Sequence, residues 1–293
     1  MSAEQPWTIG RLLEWTTGFL EQKGAEEPRL DTQVLLAHAL GCKRIDLYTR
    51  HEEVVADDVR QTFKGLLQQR VKGCPVAYLV GRKEFFSLEF EVNPAVLIPR
   101  RETEHLVEDC LRLARDLPEP AVLDVGTGSG CLAVTVARQN KKARVTAVDL
   151  SPEALAVAGR NAAKHGVTER VCFLQGDLFA PVPSGERFDF VLSNPPYIPR
   201  ADLLQLAPSV RDYEPRLALD GGEDGLAILE RLIEEAPRYL KPGGYLIVEI
   251  NTLREEQTRQ RILARAGYEL ARTIPDWAGR PRVLRARWRP SPG

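Results

Sequence analysis

The segment AVLDV runs straight into Gly126-Thr127-Gly128-Ser129-Gly130 and then into CLAVTVARQN. A strand that turns through three glycines into a helix restricts the fold strongly. Glycine lets the backbone take left-handed angles, and the helix N-terminus behind the turn exposes N–H groups to which a ligand can come close. The surrounding pattern repeats the unit. Strands are expected at 121–125, 144–149, 171–175 and 188–193, with helices between the first three, and another at 244–250 after a helix at 224–240. Such alternation predicts an α/β fold with a mainly parallel sheet covered by helices on both faces. The end differs, because YELARTI and RVLRARW, separated by a stretch containing Pro275 and Gly279, predict an antiparallel hairpin at a sheet edge.

The N-terminal stretch predicts a small helical bundle. Leu12, Trp15 and Phe19 recur at helical spacing, as do Val59, Phe63, Leu66, Leu67 and Val71, with the largely apolar RLDTQVLLAHALG between them. From Val76 the pattern changes. Leu88, Phe90 and Val92 alternate, and Asn93-Pro94 then precedes Val96 to Ile98, which reads as a β-hairpin. RETEHLVEDCLRLARDL is helical again, with Leu106, Cys110, Leu113 and Leu117 on one face. The expected organisation is a helical domain at 1–75, a hairpin connector at 76–101 and an α/β domain at 102–293. A length of 293 residues suits more than one folding unit.

Charge narrows the partners. With 40 Lys+Arg against 41 Asp+Glu the chain lacks the basic excess of most nucleic-acid or anionic-membrane binders, so stable binding to either is not expected. The five cysteines, Cys42, Cys74, Cys110, Cys131 and Cys172, are odd in number and form no C-x-x-C pair. They read as reduced thiols of a cytoplasmic protein, with no metal site. MSAEQPWTIG has no basic-then-apolar leader pattern, and no apolar run approaches membrane-span length.

The strand RVTAVD ends in Asp149, 19 residues beyond Gly130, where a carboxylate can accept from both hydroxyls of a ribose. Ser151-Pro152-Glu153 already supplies a helix cap, which leaves Asp149 for a ligand. The G-x-G-x-G spacing, with Cys131 where a dinucleotide loop would continue toward its third glycine, tilts the ligand from NAD toward S-adenosylmethionine. Asp124 is either a partner for the cationic amino group of the methionine moiety or a turn acid. After VCFLQ comes Gly176-Asp177-Leu178-Phe179. There Asp177 can accept from an adenine amino group and Leu178 or Phe179 can cover the ring, or the segment is a polar turn with a core phenylalanine.

The most specific element closes the fourth strand: FDFVLSNPPYIP, with Asn194-Pro195-Pro196-Tyr197. Two prolines fix the backbone and remove two N–H donors, so acceptors dominate. The Asn194 side-chain oxygen and the Pro195 carbonyl can receive the two hydrogens of one planar NH₂ group, while Tyr197 packs on its flat face. That chemistry is methylation of an amine or amide nitrogen.

The chain resembles the HemK/PrmC family of protein-(glutamine-N5) methyltransferases. The resemblance runs through RLDTQVLLAHALG, GCPVAYLVGRKEFFSLEFEVNPAVLIPRRETEHLV, VLDVGTGSG, VTAVDLSPEAL, SNPPYIP and EPRLALDGGEDGL, with Pro99-Arg100-Arg101 where the family usually has Pro-Arg-Pro. It implies a class I methyltransferase fold, a seven-stranded sheet with its last strand antiparallel. It also implies methylation of the glutamine of the Gly-Gly-Gln motif in peptide chain release factors. The cofactor, S-adenosyl-L-methionine, would meet Gly126, Thr127, Gly128, Ser129, Gly130, Asp149, Asp177, Leu178 and Asn194, and the glutamine would meet Asn194, Pro195, Pro196 and Tyr197. An Asn-Pro-Pro-Tyr element also serves adenine-N6 methyltransferases acting on DNA or RNA. A stripe of Arg285, Arg287 and Arg289 on the final strand is the feature that favours that alternative, unless it is a charged edge that resists aggregation.

Overall fold

The computed structural model describes residues 6–290. It contains two compact units: one takes the chain up to Gly81 plus Pro208–Tyr213, the other Arg82–Ala207 and the chain from Glu214 onward.

The first unit is helical, with α1 (Ile9–Gln22), α2 (Pro28–Ala39), α3 (Asp46–Thr49), α4 (Asp57–Val71), α5 (Val76–Val80) and α9 (Pro208–Arg211). Its core gathers Ile9, Leu12, Leu35, Leu36, Leu47, Val55 and Phe63. Arg70 donates to Asp31 at 2.8 Å and ties α4 to α2. The α1 stripe differs from the expected one. Ile9, Leu12, Thr16 and Leu20 are the buried set, whereas Trp15 is half exposed, stacked on Phe19 at 5.3 Å and edge-on to Trp7 at 6.2 Å. Aromatic stacking along the helix surface keeps Trp15 beside the core stripe instead of in it.

The second unit opens with a hairpin, β1 (Arg82–Phe85) and β2 (Leu88–Glu91), and continues through α6 (Glu104–Ala114), β3 (Ala121–Val125), α7 (Cys131–Gln139), β4 (Arg144–Asp149), α8 (Pro152–Lys164), β5 (Val171–Gln175), β6 (Phe188–Ser193), α10 (Ala227–Glu235), β7 (Leu240–Glu249), α11 (Glu255–Ala264), β8 (Tyr268–Pro275) and β9 (Pro281–Trp288). The hairpin lies earlier than the sequence suggested. Its turn is Phe86-Ser87, both at positive φ (52° and 58°), and Asn93-Pro94 instead forms a turn whose outgoing segment joins no strand. Two non-glycine residues in left-handed conformation carry no turn signature, so alternation pointed to the wrong partner. The helix expected over 224–240 is also shorter, ending at Glu235, where Ala236–Arg238 continues as a 3₁₀ turn at Pro237.

The sheet order is β5-β4-β3-β6-β7-β9-β8, parallel from β5 through β7, with β9 antiparallel to both β7 and β8. This is the class I S-adenosylmethionine-dependent methyltransferase arrangement. Strand order reverses at β3, so the loops after β3 and β6 diverge and leave a crevice at their carboxyl ends. Val122, Val145, Phe190 and Ile247 face one buried layer, while Leu123, Val148, Val191 and Leu246 face the other. A sheet covered on both faces explains the nearly continuous apolar runs of its strands. The hairpin packs on α8 within this unit: Asn161 exchanges two hydrogen bonds with the Glu91 backbone, and Arg160 and Lys164 pair with Glu91 and Glu89. Among the described residues no helix is long and apolar enough to cross a membrane.

Candidate methyl-transfer site

The crevice holds a cavity of about 580 Å³. This is within the roughly 300–1,000 Å³ of small-ligand sites. Gly126, Gly128 and Gly130 all have positive φ (76°, 56° and 79°), and the turn they make folds back on β4, where Gly126 and Thr127 donate to the Val148 carbonyl at 2.8 and 2.9 Å. A Cβ on Gly130 would meet that of Ala158 at 3.0 Å, so this glycine is required by helix packing. Gly126 to Ser129 line the cavity, and Gly130 stands behind it as the cap of α7.

Asp124 does not line the cavity. Fully buried under the turn, its Oδ2 accepts from Thr127 Oγ1 at 2.6 Å and from the Ala133 amide at 3.2 Å, and burial pushes its carboxyl up to about 7. Of its two expected roles, the structure gives the turn acid. Asp149 does line the cavity. Its oxygens accept one N–H each, from Gly128 at 2.8 Å and Ser151 at 2.9 Å, which leaves a further lone pair on each for paired hydroxyls. Burial raises its carboxyl above the usual range. Ser151 caps α8 through the Ala154 amide, as its sequence position implied.

Asp177 and Leu178 also border the cavity. Both Asp177 oxygens are held by Arg231, at 3.2 and 2.9 Å, so any adenine contact there is shared with that guanidinium. Leu178 sits at φ 48° with its side chain at the cavity, while Phe179 is core, stacked 4.9 Å from Tyr239. Of the two residues expected to cover a ring, Leu178 borders the cavity and Phe179 does not.

At the end of β6, Asn194 and Pro196 reach the cavity; Pro195 is buried behind them and Tyr197 turns its hydroxyl to Glu249 Oε1, 3.1 Å away. Asn194 Nδ2 donates to Thr103 Oγ1 at 3.2 Å, and Thr103 donates to Glu249 Oε2 at 2.6 Å. Burial raises both the Glu249 carboxyl and the Tyr197 phenol. The backbone of this element is clamped by the segment 219–225. Ile198 and Arg200 donate to Leu219 and Gly222, and Gly221 donates back to Ile198. A Cβ on Gly221 would meet the Pro196 carbonyl at 2.8 Å. Upstream in the same block, Glu214 accepts from the Ile98 amide at 3.1 Å and pairs with Arg100, which lines the cavity.

Sequence reasoning missed Thr103, Glu249, Arg100 and Glu214. Thr103 ends a 3₁₀ turn, Arg101–Thr103, which forms although Arg101 replaces the expected proline. The residues present suit S-adenosylmethionine: a left-handed glycine turn with close backbone access, a carboxylate with two spare acceptor sites, and the mainly apolar wall of Val96, Leu97, Leu178, Leu217 and Ile228. The arginine stripe is committed within the fold. Arg285 pairs with Asp109 at 2.7 Å, Arg287 lies over Tyr245 and donates to Gly243, and Arg289 pairs with Glu269.

Residues 11–81 match the family model described as the PrmC N-terminal domain, and residues 118–272 match a methyltransferase domain. A release factor glutamine methyltransferase of Rhodopirellula baltica is 44% identical over 288 residues, covering 97% of each chain. One from Geobacter sulfurreducens is 45% identical over 281 residues, covering 96% of this chain and 97% of its own. The crystal structure of a methyltransferase from Pyrococcus furiosus superposes with a TM-score of 0.50 at 21% identity, over 70% of this chain and 90% of that one, and bears on the fold alone. Matched along nearly its whole length, the chain belongs to the release factor glutamine methyltransferase family.

Proposed function

We propose that this protein is an S-adenosylmethionine-dependent protein-(glutamine-N5) methyltransferase that modifies the Gly-Gly-Gln glutamine of peptide chain release factors in the cytoplasm. The observation that carries the reading is Asn194. Its NH₂ group is anchored on Thr103, and its carbonyl oxygen is the acceptor left for the cavity that also contains the Gly126–Ser129 turn and Asp149. We assign Gly126 to Gly130, Asp149, Asp177, Leu178 and Asn194 to the cofactor, and Asn194, Pro195, Pro196 and Tyr197 to the glutamine. Residues 1–75 serve to dock the protein substrate, 76–101 connect, and 102–293 carry the chemistry.

When bound, S-adenosylmethionine supplies a methyl group on a positively charged sulfur, an electrophile with a good leaving group. An amide nitrogen is a poor nucleophile because its lone pair is delocalised into the carbonyl. Asn194 Oδ1 accepts one of its hydrogens, raises electron density at nitrogen and helps aim its lone pair at the methyl group. Preorganised positioning of this kind is worth on the order of 7 kcal/mol or more. Gly126 to Ser129 and Asp149 would hold the cofactor so that its methyl could pass to this nitrogen, with the sulfur keeping the electron pair of the broken S–C bond and the amide proton released to solvent. The carboxylates at the cavity already have structural duties: Asp149 holds the turn, Asp177 pairs with Arg231, Asp220 pairs with Arg200 and Glu153 accepts from the Ser151 hydroxyl.

The adenine-N6 alternative drew on the arginine stripe, and those side chains are engaged with Asp109, Tyr245 and Glu269. The deciding experiment incubates the protein with a release factor and S-adenosylmethionine and maps modified peptides by mass spectrometry. One methyl on the Gly-Gly-Gln glutamine is the expected result; methyl transferred to nucleic acid and not to the release factor overturns it.

A further inference from the structure

An asparagine side chain presents either a carbonyl oxygen or an NH₂ group, and the two ends have nearly the same shape. Only the carbonyl end can accept from a substrate amide. Something must therefore fix which end of Asn194 faces the cavity, and the NH₂ group itself offers no preference. The partner it touches, Thr103, is a hydroxyl that can donate or accept. A hydroxyl has one hydrogen, however, and here that hydrogen is claimed. Thr103 Oγ1 lies 2.6 Å from Glu249 Oε2; burial raises this carboxyl, whereas the Thr103 and Tyr197 hydrogen bonds and the charge of Arg282 favour its ionised form, in which it can only accept. With its hydrogen committed to Glu249, Thr103 can only accept from Asn194, so Asn194 must give it Nδ2, at 3.2 Å, and keep Oδ1 for the cavity.

Glu249 itself is 1% exposed and does not line the cavity. A fully buried carboxylate is costly and is retained where its hydrogen bonds matter. Its other oxygen accepts from Tyr197 at 3.1 Å, so one buried acid holds two parts of the acceptor site. We infer that Glu249 is a positioning residue which, by taking the Thr103 hydrogen, forces Asn194 to present its carbonyl oxygen to the substrate amide.

This inference rests on the methyl-transfer reading, and full-length wild-type protein methylating a release factor is the control that tests that reading separately. The test variant is Thr103→Val, which keeps side-chain shape and removes the hydroxyl. Expected is a fall in kcat of about tenfold or more, with S-adenosylhomocysteine affinity, measured by calorimetry, within about twofold of wild type. Thr103→Ser restores the hydroxyl and is expected to return kcat to within about threefold of wild type. Because Glu249 acts through Thr103, adding Thr103→Val to Glu249→Leu is expected to cost less than about twofold in kcat beyond Glu249→Leu alone. If Glu249→Leu no longer binds S-adenosylhomocysteine, the valine and serine variants decide alone. Wild-type kcat in Thr103→Val, an equal loss in Thr103→Ser, or multiplicative losses in the double variant overturn the inference.

Discussion

A Cβ built on Gly225 would stand 2.6 Å from the carbonyl oxygen of Tyr197. Gly225 also has φ 77°, a conformation that costs a residue bearing a Cβ about 1–2 kcal/mol. Gly225→Ala is therefore expected to push the Asn194–Tyr197 backbone out of register, lowering turnover by about tenfold or more while cofactor-product affinity changes little. Steady-state kinetics beside calorimetric titration of S-adenosylhomocysteine separates the two. Normal turnover in this variant means the backbone clamp does not set the acceptor geometry.

Asn194→Ala removes one preorganised acceptor at the reacting nitrogen and leaves the glycine turn untouched. The expected loss in kcat is on the order of 100-fold, well beyond the loss of S-adenosylhomocysteine affinity that follows from the cofactor contact also assigned to Asn194. Single-turnover methyl transfer to a release factor measures it directly, and a variant that keeps near-normal turnover removes Asn194 from the acceptor role.

Asp149→Ala should show the opposite partition. The carboxylate is assigned to the cofactor and also holds the Gly128 and Ser151 amides, at 2.8 and 2.9 Å. Loss of a charged hydrogen-bonding partner is worth about 1.5–3 kcal/mol, so S-adenosylhomocysteine binding should weaken by roughly 10- to 100-fold. Unchanged affinity by calorimetry refutes the assignment.

The parallel strands were legible in the sequence because β3 and β6 are short apolar runs buried on both faces, and β3 to β6 are all bounded by turn residues. The ligand turn was legible because left-handed backbone demands glycine. Other parts were not. Thr103 meets Asn194 across 91 residues and Glu249 across 146, and local periodicity carries no information about pairs so far apart. Glu249 reads in sequence as one more acid at a strand end. Trp15 follows helical spacing yet stands outside the core, since spacing identifies a face but not how far the buried stripe extends around it.

Asn161, fully buried on α8, links the hairpin to the cofactor turn. Its Nδ2 donates to the Ser129 carbonyl at 2.9 Å and to the Glu91 carbonyl at 3.0 Å, and its Oδ1 accepts from the Glu91 amide at 2.7 Å. Asn161→Leu keeps the volume and strands these groups, at a cost of about 1–3 kcal/mol in stability. Thermal melting should register that loss, and cofactor-product affinity should fall as the turn loosens. A variant with wild-type melting temperature and affinity shows that the hairpin and the turn are not coupled through this side chain.

Asp124 makes stability depend on pH in a direction opposite to that of an ion-paired carboxylate. Burial raises its folded value from 3.8 to about 7, so the folded state holds the proton more tightly than the unfolded chain does. Its contribution is complete below the unfolded value and is lost as pH rises through about 7. Asp124→Asn still accepts from Thr127 and Ala133 through one oxygen, but it cannot titrate. Any cost of its new NH₂ group is independent of pH. Relative to wild type, the variant should therefore gain stability between pH 5 and pH 8 by on the order of 3 kcal/mol. Denaturant titration of both ligand-free proteins at the two pH values measures the difference. A gap between wild type and variant that is constant across this range shows that Asp124 stays ionised throughout, held by its two donors against the penalty of burial.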